Sequence, residues 1–453
     1  MPSVRSNFFS NLAGTSVSAV VLILVTPIYL RYLGADAFGL LGVFITLTSI
    51  ASLLDMGLTP ALTREVARLS ATSEGSRQIR TTVRTLEIIY AGAAILVYLL
   101  AFQVLPMLAE HWLKPNTLNL PTIQYCLQIV AVQLALQLPL SFYTGGFIGM
   151  QRQGLMNAIT AGMVAARAVG ATILLIIFNA DVITFFFWQA VVTAIHLLIM
   201  ASGLWRTLPL GAANFRLESL KHVWRYATGM LTITALSILL TQLDKIILSR
   251  TLSLEHFGYY MLAWNIASLL LRPAGLVFNA WLPRMTQLAT LGSINELSML
   301  YRNGSQLTNI LVVPIAIILA VFSNDVLYAY TGNKSLADST AMALTLLSIG
   351  SACNALMHLP YALTLAYGWT RFAIFQNTMA ALVVAPLTYW ASTHYGLNGG
   401  GVGWVAVNLA YVLFSPYFIH RRYLPSELSL WYRGNCTLFF HKNFDYLVSI
   451  TKK

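Results

Sequence analysis

The segment 182–204 reads VITFFFWQAVVTAIHLLIMASGL and contains no aspartate, glutamate, lysine or arginine. A helix needs about 20 consecutive apolar residues to cross the hydrocarbon core of a bilayer. No water reaches the backbone within that core, so the segment must satisfy its own hydrogen bonds, which a helix does. We therefore predict that residues 182–204 form a transmembrane helix.

The rest of the chain has the same character. Hydrophobic residues make up 57% of the 453 residues, charged residues make up 9%, and the mean hydropathy is +0.70. Soluble domains carry about 25% charged residues, so this composition excludes a large soluble catalytic domain. With only three cysteines, it also excludes a small disulfide-stapled fold. We predict an all-α polytopic membrane protein with about 12 transmembrane helices. Their approximate ranges are 10–30, 38–60, 84–105, 121–143, 156–178, 182–204, 226–248, 257–281, 305–323, 339–364, 372–393 and 399–419.

Lysine and arginine are distributed unevenly between the predicted connections. If the amino terminus is inside, most of the 27 basic residues fall in cytoplasmic segments, and the outer connections hold only Arg31, Lys114, Arg250 and Lys334. This bias favours an orientation with both termini in the cytoplasm. The same bias explains the net charge of +12, so we expect no nucleic-acid partner.

The two halves of the chain resemble each other at a constant offset of 219 residues. Asp36 aligns with Glu255, Phe38 with Phe257 and Gly39 with Gly258, and later Gly149 aligns with Gly368 and Arg152 with Arg371. Because each half holds six predicted spans, we expect two six-helix bundles related by a parallel repeat. We place them at residues 1–210 and 211–421, followed by a basic and aromatic cytoplasmic tail at 422–453. For that tail we expect either an interfacial segment on the inner leaflet or a disordered end.

Polar side chains share helix faces in the first two predicted spans of each half. Asn265, Ser268, Arg272 and Asn279 lie within an arc of about 80° on one helix. A charge near the bilayer centre is costly and therefore suggests a functional site. We predict that these faces surround a central water-accessible cavity. The candidate substrate-binding residues are Arg272, Lys245, Arg167, Asn265, Asn279, Ser268, Thr241, Ser237 and Asn11, and the candidates for ion coupling are Asp55 and Asp244.

Alternatives remain open for several of these residues. Serine and threonine are also common where membrane helices pack together. Asp244 and Lys245 are adjacent, so a local ion pair is an alternative to a functional role for each of them. Enzyme signatures such as His-Glu-x-x-His, Gly-x-Ser-x-Gly and a phosphate-binding loop are not found in the sequence. We therefore expect no catalytic residues, no metal and no cofactor, and a transporter driven by an ion gradient, the membrane potential or the substrate gradient.

Several short motifs resemble a known family. They are Tyr29-Leu-Arg-Tyr-Leu-Gly-Ala-Asp-Ala-Phe-Gly39, Leu54-Asp-Met-Gly-Leu58, Gly149-Met-Gln-Arg152, Gln242-Leu-Asp-Lys245 leading to Phe257-Gly-Tyr-Tyr260, and Gly396-Leu-Asn-Gly399. Their order and spacing resemble those of the polysaccharide transporter family. These are Wzx-type flippases of lipid-linked oligosaccharides, which belong to the multidrug/oligosaccharidyl-lipid/polysaccharide exporter superfamily. The resemblance covers nearly all of the chain before about residue 421.

The resemblance implies two bundles that work by alternating access in the bacterial inner membrane. The implied substrate is an undecaprenyl-pyrophosphate-linked oligosaccharide, flipped from the cytoplasmic to the periplasmic leaflet for O-antigen or another surface polysaccharide. The implied partners are membrane lipid, H⁺ or Na⁺ as coupling ion, and polysaccharide polymerase or ligase machinery. Asp244 and Lys245 match the family motif, whereas Arg272, Arg167 and Asp55 rest on the helix faces.

Two other function classes compete with a flippase. A multidrug or small-molecule antiporter of the same superfamily would rely on intramembrane carboxylates for cationic substrates, yet the charge expected near mid-membrane is mainly arginine. A membrane-embedded glycan polymerase or glycosyltransferase would need an acid, a base or a metal site. The longest outer connection, about 106–120, offers only Glu110 and His111 for that chemistry.

Overall fold

The computed structural model describes residues 20–21, 23–55, 58–70, 73–211, 213–216, 235 and 238–437. Within these ranges all regular secondary structure is helical. The helices are α1 Ile23–Leu33, α2 Ala35–Ala51, α3 Leu58–Ser70, α4 Ser73–Trp112, α5 Leu120–Gly149, α6 Gln153–Ile177, α7 Val182–Thr207, α8 (238–251), α9 Leu254–Ser268, α10 Leu271–Leu291, α11 Ile294–Val321, α12 Ser323–Thr331, α13 Lys334–Leu356, α14 His358–Ala366, α15 Thr370–Tyr395, α16 Asn398–Tyr423 and α17 Pro425–Thr437.

The prediction of an all-helical, multi-span membrane protein is confirmed. Among the described residues, eight helices are long and apolar enough to cross a membrane, and the bent pair α9–α10 makes up to nine. The predicted spans 10–30 and 226–248 lie partly outside the described residues. The total of 12 spans, the orientation of the termini, and the bundle limits at 210 and 421 stay predictions.

Two predicted spans are broken rather than continuous. The span predicted at 38–60 ends its first helix at Ala51, passes through the 3₁₀ turn Ser52–Asp55 and resumes at Leu58. The span predicted at 257–281 bends by 41° between α9 and α10. The second helix of each pair begins with Leu-x-Pro-Ala, at 58 and at 271. Proline suits the first turn of a helix and interrupts a continuing one, which explains both breaks.

These breaks change the alignment of the two halves. Helices α2 and α9 begin 219 positions apart, but α3 and α10 begin 213 apart and α6 and α15 begin 217 apart. Gly368 follows the end of α14 with φ +70°, whereas the left-handed position after α5 is Gln151 with φ +55°. Gly149 and Gly368 are therefore not equivalent, and the single offset is wrong beyond the first helix of each half.

The structure divides into two compact units. The first unit comprises the described residues up to Leu262 together with Leu327–Thr340 and Ala385–Gly400. The second unit comprises Ala263–Val326, Ala341–Val384 and the described residues from Gly401.

In the first unit, α3, α4, α5 and α7 share an apolar core. Leu62, Val66, Ile79, Phe142, Phe147 and Leu204 are buried in this core. Glycines of α5 permit close helix packing there, since a Cβ on Gly149 would lie 2.8 Å from the carbonyl oxygen of Thr63. Thr63 Oγ1 also donates to the carbonyl oxygen of Gly145 at 3.0 Å. Small residues and hydroxyl bonds of this kind are typical of membrane helix interfaces.

Helices α2 and α9 cross at an equivalent pair of glycines within the first unit. A Cβ on Gly258 would lie 2.7 Å from the carbonyl oxygen of Ala35, and a Cβ on Gly39 would overlap the carbonyl oxygen of Leu254. Ala35 and Leu254 are themselves equivalent in the repeat, so the contact is reciprocal. Only glycine allows the two backbones to come this close.

The segment 113–118, which follows α4 and which we call the clasp segment, binds the same helix ends. One carboxylate oxygen of Asp36 accepts the backbone N–H groups of Asn116 and Thr117 at 2.8 and 2.6 Å. The side chain of Asn116 donates to Glu255 at 2.9 Å. The carbonyl oxygen of Lys114 accepts the backbone N–H of Leu254 at 2.8 Å. The repeat pair Asp36 and Glu255 therefore both bind Asn116, which joins the starts of α2 and α9 through one segment.

The second unit is built around α10, α11, α14 and α16, and the first part of the tail packs on it. Trp431 of α17 is buried against His420 of α16. Glu427 is also buried, accepting a hydrogen bond from Ser298 and pairing with Arg302 at 2.8 Å. Residues 425–432 therefore pack on the second unit. The two expectations for the tail, an interfacial segment and a disordered end, did not include this packing. Residues 438–453 lie outside the described part of the chain.

The glycine crossing generates a stability prediction. We expect Gly258→Val to lower the free energy of unfolding by about 1–3 kcal/mol or more, because the added side chain would clash with the backbone of Ala35. The measurement is thermal unfolding of the purified protein in detergent. Gly92→Val is the matched control, since a Cβ at Gly92 of α4 meets nothing within 4 Å. Equal melting temperatures for the two variants would contradict the prediction.

Candidate functional site

Asp55 lies at the break between α2 and α3, where its carboxylate caps the second helix. One oxygen accepts the backbone N–H of Thr59 at 3.1 Å and the other accepts the Thr59 hydroxyl at 2.5 Å. The hydroxyl of Tyr90 in α4 donates to the same carboxylate. All three donors are neutral. They therefore position the carboxylate of Asp55 through hydrogen bonds and bring no positive charge to it.

Asp244 and Lys245 form a buried ion pair at the middle of α8. The ammonium of Lys245 lies 3.2 Å from the carboxylate of Asp244 and donates to the carbonyl oxygen of Thr241 at 2.9 Å. The hydroxyl of Tyr260 in α9 also donates to Asp244. Lys245 is 2% exposed and Tyr260 is 0% exposed. This burial favours the local ion pair that the sequence left open for these two residues.

The remaining candidates of the second half lie around the break between α9 and α10, in the second unit. Asn265 and Ser268 are half-buried, and the Ser268 hydroxyl donates to the carbonyl oxygen of Asn265 at 2.9 Å. On α10, the side chains of Ala274, Val277, Met285 and Leu288 are buried. At 100° per residue, Arg272 and Asn279 lie about 180° from the centre of that buried face. They are accordingly half-buried and exposed, respectively.

Arg167 of α6 lies in the first unit against α7. Its guanidinium donates to the hydroxyl of Thr193 at 3.1 Å, and the indole N–H of Trp188 donates to its carbonyl oxygen at 3.2 Å. Within the described part of the chain, Arg167 makes no ion pair with a carboxylate. Among the described residues, the hydrogen-bond partners of Arg167 on its candidate membrane span are thus neutral.

The structure places the sequence-predicted residues in five separate locations. Thr241, Asp244 and Lys245 come together on α8, Asn265 and Ser268 are bonded on α9, and Arg272 and Asn279 share a face of α10. Asp55 and Arg167 each stand in a separate cluster. Ser237 and Asn11 lie outside the described residues. No group of three or more histidine, cysteine or acidic residues that could hold a metal occurs in the described ranges.

The sequence missed the partners of these charged groups. Tyr90 and Tyr260 donate to Asp55 and Asp244 from other helices, and no local spacing indicates such bonds. Glu87 was missed as well, although its carboxylate binds Arg84 at 2.6 Å, Tyr143 at 2.5 Å and Trp205 at 2.9 Å. The i, i+3 spacing of Arg84 and Glu87 is the one signal that could have indicated part of this cluster.

Comparisons with known proteins give the family. Residues 4–289 match the family described as polysaccharide biosynthesis protein. The chain belongs to this family. A protein of Shigella flexneri named "Putative O-antigen transporter" is 21% identical over 407 residues, which cover 89% of this chain and 94% of the relative.

Solved structures of transporters share the fold. An inward-facing multidrug resistance MATE family transporter of the MOP superfamily superposes with a TM-score of 0.73 at 13% identity, covering 93% of this chain and 96% of that one. The lipid II flippase MurJ in an inward closed conformation superposes with a TM-score of 0.70 at 13% identity, covering 97% of this chain and 95% of that one. The family and the fold agree with a membrane transporter.

The buried pair on α8 predicts a pattern of stability changes. Lys245→Met leaves the carboxylate of Asp244 buried without its cation, which should lower the free energy of unfolding by about 3–5 kcal/mol. Adding Asp244→Asn removes that charge and should recover most of the loss. The measurement is thermal unfolding of the single and the double variant. A double variant that unfolds as early as Lys245→Met would contradict the assignment of a structural ion pair.

Proposed function

We propose that this protein is a flippase in the bacterial inner membrane. It moves a polyprenyl-pyrophosphate-linked oligosaccharide from the cytoplasmic to the periplasmic leaflet by alternating access, for O-antigen or another surface polysaccharide. The description of its family, the name of the Shigella flexneri relative and the similarity of its fold to a lipid II flippase all support a substrate of this class.

The observation that carries the proposal is the position of Arg272. Its side chain leaves α10 on the face opposite the buried one, directly after the break between α9 and α10. A pyrophosphate must bring negative charge through a region of low dielectric, and a guanidinium offers a planar fork that matches phosphate oxygens. Broken membrane helices commonly surround the substrate sites of transporters. Arg272 is thus the group that we assign to the pyrophosphate.

Neutral polar groups near Arg272 suit the sugar part of the substrate. Asn279 shares its face of α10, and Asn265 and Ser268 lie just before the break. Amide and hydroxyl groups both donate and accept hydrogen bonds, as sugar hydroxyls require. The prenyl chain needs no polar partner and stays in lipid throughout. Lys245, by contrast, is too buried in its ion pair to bind the headgroup without a rearrangement of α8.

Alternating access gives the clasp segment a role. The clasp segment and the Gly39–Gly258 crossing hold the starts of α2 and α9 together, at the end that the charge bias predicts to be periplasmic. A substrate released on that side must pass between these helices. The bonds of Asn116 to Asp36 and Glu255 must therefore break and reform in each transport cycle.

Asp55 is the candidate for coupling to H⁺ or Na⁺. Its carboxylate is held by neutral donors at a helix break, where it can take up a cation without breaking an ion pair of the described residues. Asp244, the other candidate, is already paired with Lys245. An antiporter of organic cations would instead need a carboxylate where Arg272 stands, which makes that alternative the weaker one.

Gene deletion and complementation test the proposed substrate. In the deletion strain we expect surface glycan to disappear and repeat units to accumulate on the carrier lipid, because the units no longer reach the outer leaflet. The wild-type gene should restore export, and Arg272→Ala should reduce it at least tenfold. The readouts are surface glycan and lipid-linked intermediates, both measured by mass spectrometry.

Arg284→Ala is the matched control for this experiment. Arg284 lies on the same helix but is exposed, and it pairs with the likewise exposed Glu296 at 3.7 Å. We expect this variant to restore export fully. If glycan and intermediates are unchanged in the deletion strain while its sensitivity to cationic drugs rises, the antiporter alternative replaces the flippase.

Cross-linking the clasp segment tests alternating access. In a chain without its native cysteines, Asn116→Cys and Glu255→Cys should both react with one short bis-methanethiosulfonate, since the two native side chains are 2.9 Å apart. Each thiol displaces a methanesulfinate and forms a disulfide that a reductant can cleave. We expect cross-linked cells to lose export and to regain it on reduction. Undiminished export with a complete cross-link would contradict the required separation of these helices.

A further inference from the structure

A polar cluster in the first unit has no role in the mechanism above. It consists of Tyr29 on α1, Arg167 on α6, and Gln189, Thr193 and His196 on α7. The three α7 residues recur at spacings of four and three, which places them on one face of that helix. All three are buried, as is Tyr29. Arg167 therefore points at a polar face inside the helix packing.

Neutral partners already satisfy part of the cluster. Thr193 donates its hydroxyl proton to the carbonyl oxygen of Gln189 at 2.8 Å and accepts a bond from Arg167. The Tyr29 side chain lies within interaction range of the Gln189 side chain and of Arg167. His196 also lies within electrostatic range of Arg167. The guanidinium of Arg167 thus lies among the polar side chains of α1 and α7.

Two nitrogens in the cluster have no hydrogen-bond partner among the described residues, Nε of Arg167 and Nε2 of His196. Both atoms are buried. The described residues also supply no carboxylate to pair with Arg167. A charge in such surroundings is unfavourable unless a counter-charge and hydrogen bonds compensate it. An anion that accepts hydrogen bonds would supply both the counter-charge and the partners for these nitrogens.

We propose that this cluster binds a compact monovalent anion. Arg167 supplies the positive charge and its free Nε–H, and His196 and Tyr29 supply further donors. Because only two buried nitrogens of the cluster lack a partner among the described residues, the ligand is a halide or a single carboxylate rather than a pyrophosphate. This inference does not depend on the proposed function, since the pyrophosphate is assigned to Arg272 in the second unit.

Two sources could provide such an anion, and they have different consequences. Free chloride would act as a bound counter-ion that stabilises the first bundle or moves with the substrate. The carboxylate of an acidic sugar would make the cluster a selectivity site for the glycan. Both share one chemistry, a single negative charge with several acceptor positions.

Anion-dependent stability of the purified full-length protein tests the proposal. Thermal unfolding in detergent is measured at constant ionic strength, first in sodium methanesulfonate and then with chloride or glucuronate in its place. A ligand that binds only the folded state raises its melting temperature, and we expect a rise of at least about 2 °C. Binding of radiolabelled chloride to the purified protein is the second readout.

Variants connect the effect to the cluster. We expect Arg167→Gln to abolish the anion dependence and His196→Gln to weaken it, which keeps the test valid if the first variant fails to fold. Arg152→Gln is the matched control, because Arg152 is exposed and directly precedes α6. That variant should retain the full dependence.

Each outcome decides the proposal. A rise with chloride identifies a free-halide site, and a rise with glucuronate alone identifies a sugar-carboxylate site. The absence of any rise with either anion overturns the proposal. A rise of equal size in Arg167→Gln or His196→Gln and in the wild type overturns it as well, because the anion would then act elsewhere.

Discussion

The high free energy of a charge in hydrocarbon is the constraint that organises this protein. The five charged residues that the sequence singled out show four different solutions to it. Asp55 is held by three neutral donors, whereas Asp244 and Lys245 neutralise each other beside Tyr260. Arg167 is partly satisfied by Thr193. Arg272 leaves its helix on the face opposite the apolar packing. We use the partners of each charged side chain to assign it to stability, ion coupling or substrate binding.

Helix breaks place these groups where they can act. Asp55 caps α3, and Arg272 is the second residue of α10, so both charges stand at the start of the second helix of a broken pair. The break frees backbone groups and bends the chain, which in lipid is tolerated only where protein or water satisfies those groups. The Gly39–Gly258 crossing then binds the first helices of the two pairs together. The first helices of the two broken pairs therefore provide the packing contact, and the starts of the second helices carry the charged side chains.

The sequence predicted the helices well because a long apolar run has only one stable structure in lipid. It predicted continuous spans at 38–60 and 257–281 and a single offset of 219, and each was wrong at a helix break. The break separates α2 from α3 by six positions but α9 from α10 by only two, which changes the offset. Proline in Leu58-Thr-Pro-Ala61 and Leu271-Arg-Pro-Ala274 restarts a helix, which an average of hydropathy does not register. The prediction that Arg272 and Asn279 share one helix face agrees with their position opposite the buried face of α10, whereas their role in binding stays a prediction. The partners Tyr29, Tyr90 and Tyr260 lie on other helices than the charged groups, so the spacing within one helix could not predict them.

The most direct test of the central assignment is a transport measurement with purified components. The lipid-linked oligosaccharide that accumulates in the deletion strain is placed in liposomes with the wild-type protein or Arg272→Ala. The appearance of its headgroup on the opposite leaflet is then followed with a membrane-impermeant glycosidase. We predict rapid movement with the wild type and movement close to that of protein-free liposomes with the variant. If the wild type moves the lipid no faster than protein-free liposomes do, the assignment of a flippase is contradicted.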